Sequence, residues 1–139
     1  MKEQQLYIGK KANKTKKITK EIVNDFGEMI EDLNPLHMDK QKAEKGPFGK
    51  RIAHGVYGIG MISSILAMQM PGEGTIYLEQ NAKFLKPIYL EDTITATVEI
   101  VDIINKEKGI LKLRTYVVNQ DADIVVDGYA VVKVNKEIG

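Results

Sequence analysis

Apolar positions in the first part of the chain recur at helical spacing. Residues 19–31 place four apolar side chains on one face behind Thr19, a favourable N-cap: Ile22, Phe26, Met29 and Ile30. Pro35 biases Asn34 away from helical dihedral angles, so this helix is expected to end before that pair, with Asp32 near its C-terminus. The pattern therefore predicts an amphipathic helix that leads into a proline turn, with a short polar turn or helix beyond it.

A second helix is predicted over about residues 54–70. Nearly every position from Val56 to Met70 is apolar or small, which indicates burial on most of the helix surface, and Pro71 with Gly72 ends it. Three glycines near its start each weaken a helix by about 1 kcal/mol relative to alanine: Gly55, Gly58 and Gly60. We expect the sheet or a ligand to approach the backbone closely there.

From Gly74 onward the pattern becomes that of strands. Four runs are rich in β-branched residues and are separated by turn residues: 75–87, 93–105, 109–120 and 124–135. The turns predict hairpins and an antiparallel sheet, with a bulge at Asp127 and Gly128. Together the elements predict the α+β class, in which a curved sheet wraps around the central buried helix of a single domain, residues 1–139.

Composition narrows the classes of function. The chain is 43% hydrophobic and 28% charged with a net charge of +1, which is ordinary for a globular protein and indicates no strongly charged partner overall. The absence of cysteine excludes a disulfide framework, a thiolate zinc site and a cysteine nucleophile. No segment resembles a signal peptide or a membrane span, so we expect a cytoplasmic location and no membrane partner.

Six lysines are crowded near the start of the chain: Lys10, Lys11, Lys14, Lys16, Lys17 and Lys20. They are typical of a solvated edge strand, where lysines prevent pairing with other chains. No aromatic residues alternate with them as a stacking platform would require, so nucleic acid is not an expected partner.

Several familiar sites do not fit the sequence. The segment 55–60, GVYGIG, lacks the dinucleotide-binding spacing and follows no strand, and neither a phosphate-binding loop nor an H-E-x-x-H motif is present. Ser63 and Ser64 lie inside a helical run rather than in a nucleophile elbow. The acidic and histidine residues match no metal-ligand spacing that we can justify, so we expect no metal.

The segment Asp32 to His37, D-L-N-P-L-H, retains a chemical interpretation. A carboxylate and an imidazole brought together by the Asn-Pro turn can hold a water between them, one taking a proton while the other delivers one. Such a pair suits the addition of water to a polarised double bond, and the reverse elimination. For an arbitrary sequence, Asp32 and Asn34 more often serve only as turn and capping residues.

The chain also resembles a known family. The segment 32–37, followed by Ala43, by A-H-G at residues 53–55 and by FLKPIYLEDTITATVEI at residues 84–100, is similar to the MaoC-like (R)-specific enoyl-CoA hydratases of the hotdog superfamily. This resemblance implies a hydro-lyase that reversibly adds water, in the syn sense, to a trans-2-enoyl-CoA to give an (R)-3-hydroxyacyl-CoA. It implies no cofactor, because coenzyme A belongs to the substrate.

The resemblance also implies roles for particular residues. Asp32 is assigned as the base for water and His37 as the proton donor, although the residues also allow the opposite division. Asn34 would orient the dyad or its water through its amide, Gly55 would offer its N–H to the thioester oxygen, and Ser63 would support the site. His54 is interpreted as a cap of the buried helix. Relatives usually place a small residue and a glycine before the catalytic Asp, whereas this chain has Ile30 and Glu31.

The resemblance further implies a homodimer or larger homo-oligomer, because hotdog sheets pair edge to edge and their active sites lie where subunits meet. Two other functions remain open. A thioesterase on this fold would need a carboxylate on the buried helix, and 56–70 has none. A noncatalytic acyl-CoA-binding protein would need no Asp-His pair.

Overall fold

One antiparallel sheet organises the part of the chain described by the structure, a computed structural model covering residues 5–135 and 138. The strands follow the order β1-β3-β4-β5-β2 across the sheet. The elements along the chain are β1 (Lys11–Lys17), α1 (Lys20–Ile30), α2 (Pro35–Met38), α3 (Lys40–Glu44), α4 (Val56–Met68), β2 (Ile76–Phe84), β3 (Thr93–Asn105), β4 (Ile110–Val118) and β5 (Ile124–Lys133). The α+β class and the position of the central helix are as predicted.

The strand connections differ in part from the prediction. β3, β4 and β5 form consecutive hairpins, but β2 lies at the far edge beside β5, so it is not the hairpin partner of β3. The predicted bulge at Asp127 and Gly128 is wrong, because both pair in regular register with β4. Gly128 serves a different purpose: a Cβ there would lie 1.9 Å from the carbonyl oxygen of Asn81 on β2, so only glycine lets the two strands approach.

The core lies between α4 and the concave face of the sheet. α4 buries a stripe of side chains that includes Ile62, Ile65 and Leu66, against alternating buried residues of β3 and β4. Its other side stays open: Val56 is 45% exposed and Met68 is 80% exposed. The expected burial on most of the helix surface is thus not reached within one chain, because a single sheet covers one side of the helix only.

The two edges of the sheet have opposite character. β1 carries four of the six clustered lysines, and all but one of its residues are exposed. β2, at the other edge, exposes apolar side chains that include Ile76, Leu78 and Phe84. No helix among residues 5–135 and 138 is long and apolar enough to cross a membrane.

Candidate active site

A cavity of about 380 Å³ lies between the turn after α1, the start of α4 and the end of β2. The predicted dyad of Asp32 and His37 lines it, together with Gly55. Most of its wall is apolar and includes Phe48, Phe84 and Val126. A carboxylate and an imidazole in an apolar cleft form the kind of site where proton transfer is performed.

The end of α1 positions Asp32. Glu31 adopts the left-handed conformation, with φ 61° and ψ 30°, and the N–H of Asp32 then donates to the carbonyl of Gly27 at 2.9 Å. Glycine is the usual residue in this conformation at the end of a helix, and here Glu31 adopts it with its side chain exposed. The chain therefore turns into Asp32 without a glycine.

Asn34 connects the two members of the dyad. Its backbone N–H donates to Oδ1 of Asp32 at 3.3 Å, and its side-chain Oδ1 accepts from the N–H of Leu36 at 3.1 Å. The side chain thereby caps α2, the single turn that carries His37, while Pro35 occupies the first helical position. Asn34 thus contacts Asp32 through its backbone rather than through the side-chain amide.

His37 is held by its Nδ1 atom. Nδ1–H donates to the carbonyl of Ile52 at 2.8 Å, so Nε2 is the ring nitrogen that makes no hydrogen bond within the described part of the chain. Burial lowers the pKa of His37 below its usual 6.5, against the opposing effect of the Ile52 carbonyl; His54 and Arg51 lower it further, while Asp32 raises it. The neutral ring, with a lone pair on Nε2, is therefore favoured at neutral pH.

A strap of four residues, Arg51–His54, runs beside the dyad segment and binds it at both ends. Arg51 donates through Nε to the carbonyl of His37 at 2.6 Å, and the N–H of Ile52 donates to the carbonyl of Leu36 at 3.2 Å. At the far end, Nε2–H of His54 donates to the carbonyl of Asp32 at 3.0 Å. The strap fixes the relative position of the carboxylate and the imidazole.

The prediction that His54 caps the buried helix is wrong. Gly55 occupies the N-cap position of α4 and no side chain caps that helix. The ring of His54 is 2% exposed and stacks on the ring of His37, with centroids 4.0 Å apart and an interplanar angle of 29°. Sequence reasoning missed this contact because residues 37 and 54 meet only through the tertiary fold.

A carboxylate oxygen of Asp32 and one ring nitrogen of each histidine lie within 4.8 Å of one another. The stacked arrangement does not suit a metal, because a histidine binds metal in the plane of its ring and nearly parallel rings cannot converge on one ion at about 2.0–2.1 Å. The cluster is better suited to proton transfer.

Gly55 lies where the resemblance requires it, at the N-terminus of α4. The N–H groups of Gly55 and Val56 make no hydrogen bond among the described residues, so they can donate into the cavity. The glycine has an ordinary φ of −56°, but a Cβ would lie 2.6 Å from the ring of Phe84. The predicted close approach is therefore made at Gly55, by an aromatic ring. At Gly58 a Cβ would lie 3.4 Å from Val117, an ordinary contact, and at Gly60 it would meet nothing within 4 Å, so the prediction is wrong for Gly60.

Ser63 lies further along α4, half-buried, outside the cavity and without a hydrogen bond among the described residues. The neighbouring Ser64 accepts instead from Nζ of Lys14 at 3.4 Å. A supporting role for Ser63 stays a prediction.

Glu31→Gly should raise the free energy of unfolding by up to about 1 kcal/mol, because glycine adopts positive φ without the steric cost that Glu31 bears. Urea unfolding would measure the change. Glu28→Gly, on the exposed side of the same helix, is the matched control, and its free energy of unfolding should fall by about 1 kcal/mol. Equal losses in both variants would contradict the assigned conformation.

His37 should titrate below 6.5 in the folded protein, as followed by NMR of its ring protons. Because the unfolded chain then takes up this proton first, the contribution of His37 to stability should be fully present above about pH 6.5 and should decline as the pH falls toward the folded pKa. The difference in free energy of unfolding between wild type and His37→Gln should decline over the same pH range. A midpoint at or above 6.5 would refute the expected effect of burial.

Comparisons with known proteins agree with this geometry. A family model described as the MaoC like domain matches residues 4–122. The chain is 37% identical to an (R)-specific enoyl-CoA hydratase of Aeromonas caviae, over 96% of this chain and 98% of that protein. It is 36% identical to a 3-hydroxybutyryl-CoA dehydratase of Methylorubrum extorquens, over 88% of this chain and 76% of that one.

The fold has the same relatives. A solved structure of an (R)-hydratase from A. caviae, involved in PHA biosynthesis, superposes with a TM-score of 0.87 at 36% identity, covering 91% of this chain and 96% of the other. This match confirms the hotdog architecture. On the combined evidence of sequence, fold and site, the chain belongs to the MaoC-like domain family.

Proposed function

We propose that the chain is an (R)-specific enoyl-CoA hydratase, which reversibly adds water in the syn sense to a trans-2-enoyl-CoA and forms an (R)-3-hydroxyacyl-CoA. One observation carries the proposal: Asp32 and His37 share an apolar cavity with the free N–H groups that begin α4. The relatives named as hydratases support the same reaction.

The dyad performs the proton transfers. One member takes a proton from water as its oxygen adds to Cβ, and the other delivers a proton to Cα. The dyad gives one proton to Cα and takes one from water, so its number of protons is the same before and after the addition. Since Nδ1–H of His37 donates to the Ile52 carbonyl, Nε2 is the atom through which His37 exchanges a proton. Either member can act as the base, and the apparent pKa values of catalysis belong to the pair.

The start of α4 stabilises the charge that develops. Addition of water to the double bond places negative charge on the thioester oxygen, and the N–H groups of Gly55 and Val56 can donate to it. The dipole of α4 favours an anion at the same end. Preorganised donors of this type contribute about 3–4 kcal/mol each in acyl-transfer enzymes.

The cavity suits an acyl thioester. Its volume of about 380 Å³ lies within the range of small-molecule sites, roughly 300–1,000 Å³, and its apolar lining suits a short acyl chain. Lys86 lies at its rim in an exposed ion pair with Asp123 at 3.4 Å. Because exposed pairs contribute little, Lys86 is free to contact the phosphates of coenzyme A.

The reaction requires proton transfer alone, so we propose that no cofactor takes part and, from the sequence, that the enzyme is cytoplasmic.

We further propose a homodimer formed through β2. This edge strand is flanked by exposed apolar side chains, of which Leu78 is 52% exposed and Leu85 is 52% exposed, whereas lysines block the β1 edge. Phe84 and Leu85 also line the cavity, so a partner seated on this edge would close the cavity against water.

Incubation with crotonyl-CoA tests the reaction. Absorbance of the enoyl group should fall without release of free thiol, and the product should be the (R)-3-hydroxy thioester. Asp32→Asn and His37→Ala should each lower kcat by about 10²–10⁴-fold, the usual contribution of general acid–base catalysis, without loss of the folded state. Release of thiol would indicate a thioesterase. If the enoyl absorbance and the free thiol both stay constant, a binding protein is indicated.

Light scattering after size exclusion tests the assembly. The wild-type chain should have twice the mass of the 15.6 kDa chain. Leu78→Asp should shift the protein toward monomer at micromolar concentration, because it places a charge in the apolar edge. Lys16→Asp, on the exposed β1 edge, is the matched control and should leave the dimer intact. Dissociation by Lys16→Asp alone would assign the interface to the wrong edge.

A further inference from the structure

His54 is unusual among the buried side chains of the described residues. Its ring is 2% exposed, yet its Nδ1 atom is buried and makes no hydrogen bond. A buried polar atom without a partner costs about 1–3 kcal/mol. Phenylalanine would fill an aromatic position beside Phe26 without that cost. A residue that reduces stability in this way calls for an explanation other than packing.

The other contacts of His54 all involve the dyad and its surroundings. Nε2–H donates to the carbonyl of Asp32 at 3.0 Å, and the ring stacks on His37 with centroids 4.0 Å apart. Phe26 of α1 packs its ring against His54 with centroids 5.3 Å apart, at an interplanar angle of 70°. One rigid ring therefore contacts both members of the dyad and is itself held from a third direction.

Helix α1 leaves space for this arrangement at Gly27. A Cβ at that position would lie 3.1 Å from the carbonyl oxygen of Asp32 and 3.1 Å from Cε1 of His54. It would also lie 2.7 Å from the sulfur of Met38. A glycine in the last turns of a helix lowers helix stability, so its presence here is explained by the contact that it permits.

We propose that His54 is a positioning residue, whose single ring sets the distance and angle between Asp32 and His37 through its hydrogen bond to one and its stacking on the other. The inference rests on the proposed hydratase function and assigns His54 no contact with substrate. It acts through the main chain of Asp32 and the ring face of His37. A displacement of about 1 Å between reacting groups can cost about 100-fold in rate, so this restraint affects turnover.

His54 also affects the pKa of His37. The charged or titratable groups that act on its ring are Asp32 from the turn after α1, and Arg51 and His54 from the strap. His54 and Arg51 lower the pKa of His37, whereas Asp32 raises it. Removal of His54 should therefore raise the pKa of His37, and a purely structural defect elsewhere should not.

Two substitutions separate the two contacts. His54→Phe keeps an aromatic ring under His37 but lacks the donor to Asp32, and His54→Gln keeps an amide donor at a similar reach but lacks the ring. We expect His54→Phe to lower kcat on crotonyl-CoA by about 10–100-fold with KM within about threefold of wild type, because positioning acts on the reacting groups. On a logarithmic scale, kcat of His54→Gln should lie at least halfway from the value of His54→Phe to that of wild type.

The control is Thr115→Val. Thr115 is fully buried and accepts a hydrogen bond from Nε2 of Gln80 at 2.9 Å, but it lies outside the cavity lining. Valine has nearly the same shape, so this variant loses a buried hydrogen bond and should be less stable, with kcat and its pH profile unchanged. It reproduces a structural defect without any effect on the dyad.

NMR supplies a readout that does not depend on activity. The chain has two histidines, so His54→Phe leaves His37 as its sole imidazole and the titration is unambiguous. The midpoint of His37 should rise relative to wild type in His54→Phe and stay unchanged in Thr115→Val. If His54→Phe does not fold, Gly27→Ala replaces it: this variant keeps the ring but disturbs its contact with Asp32, and should lower kcat while KM changes little.

The outcomes are distinct. If His54→Phe or Gly27→Ala folds and keeps the wild-type kcat, the positioning role is overturned. This holds even if the variant loses stability, because Thr115→Val is expected to behave in the same way. A wild-type protein that hydrates no enoyl-CoA would refute the proposed function. In that case the midpoint of His37 would still decide whether His54 acts on it, and an unmoved midpoint would end the inference.

Discussion

The hydrogen bonds between the strap Arg51–His54 and the turn that carries the dyad are the constraint on which the site depends. Asp32 lies in the turn after α1 and His37 in the single turn α2, where few helical hydrogen bonds satisfy the backbone. The strap supplies the missing partners: it donates to three carbonyls of the segment and accepts from the ring of His37. Polar groups that are partly shielded from water are stabilised by such partners, and the same hydrogen bonds fix the catalytic geometry.

The strap is in turn fixed by the fold around it. The N–H of Ala53 donates to the carbonyl of Ile88 at 2.6 Å, which anchors the strap to the connection between β2 and β3. Two residues after the end of the strap at His54, the chain enters α4, whose buried face packs against the sheet. A local turn, a backbone strap and the central helix therefore form one continuous support. The free N–H groups of the helix face the same cavity as the dyad because the strap ends where the helix begins.

The apolar surroundings of the dyad explain how a small set of groups can perform the chemistry. Burial favours neutral His37, while the proximity of Asp32 favours a proton on that ring. The net effect lowers the pKa of His37, so its Nε2 atom keeps a lone pair that can accept a proton in the proposed addition of water. The same strand, β2, bounds the cavity and exposes the apolar surface of the proposed dimer, so assembly and closure of the site involve one edge of the sheet.

Local rules were enough to predict most elements. Thr19 caps α1 through its hydroxyl, Pro35 begins α2, and the apolar run from Val56 forms the central helix, because capping, proline geometry and periodicity act within a few residues. The place of β2 beside β5 was not predictable from spacing. Strand order depends on contacts between distant residues, and each strand pattern is compatible with several neighbours.

The same division applies to the site. The sequence by itself determined that an acid and a base flank an Asn-Pro turn and that a glycine opens the central helix, since both are properties of short segments. Only the tertiary structure decided that Glu31 makes a turn usually left to glycine, that Asn34 contacts Asp32 through its backbone, and that His54 stacks beneath His37. The first two are contacts within five residues, which the surrounding fold selects from the several turns that the segment allows. The stacking joins residues 37 and 54, which no local pattern brings together.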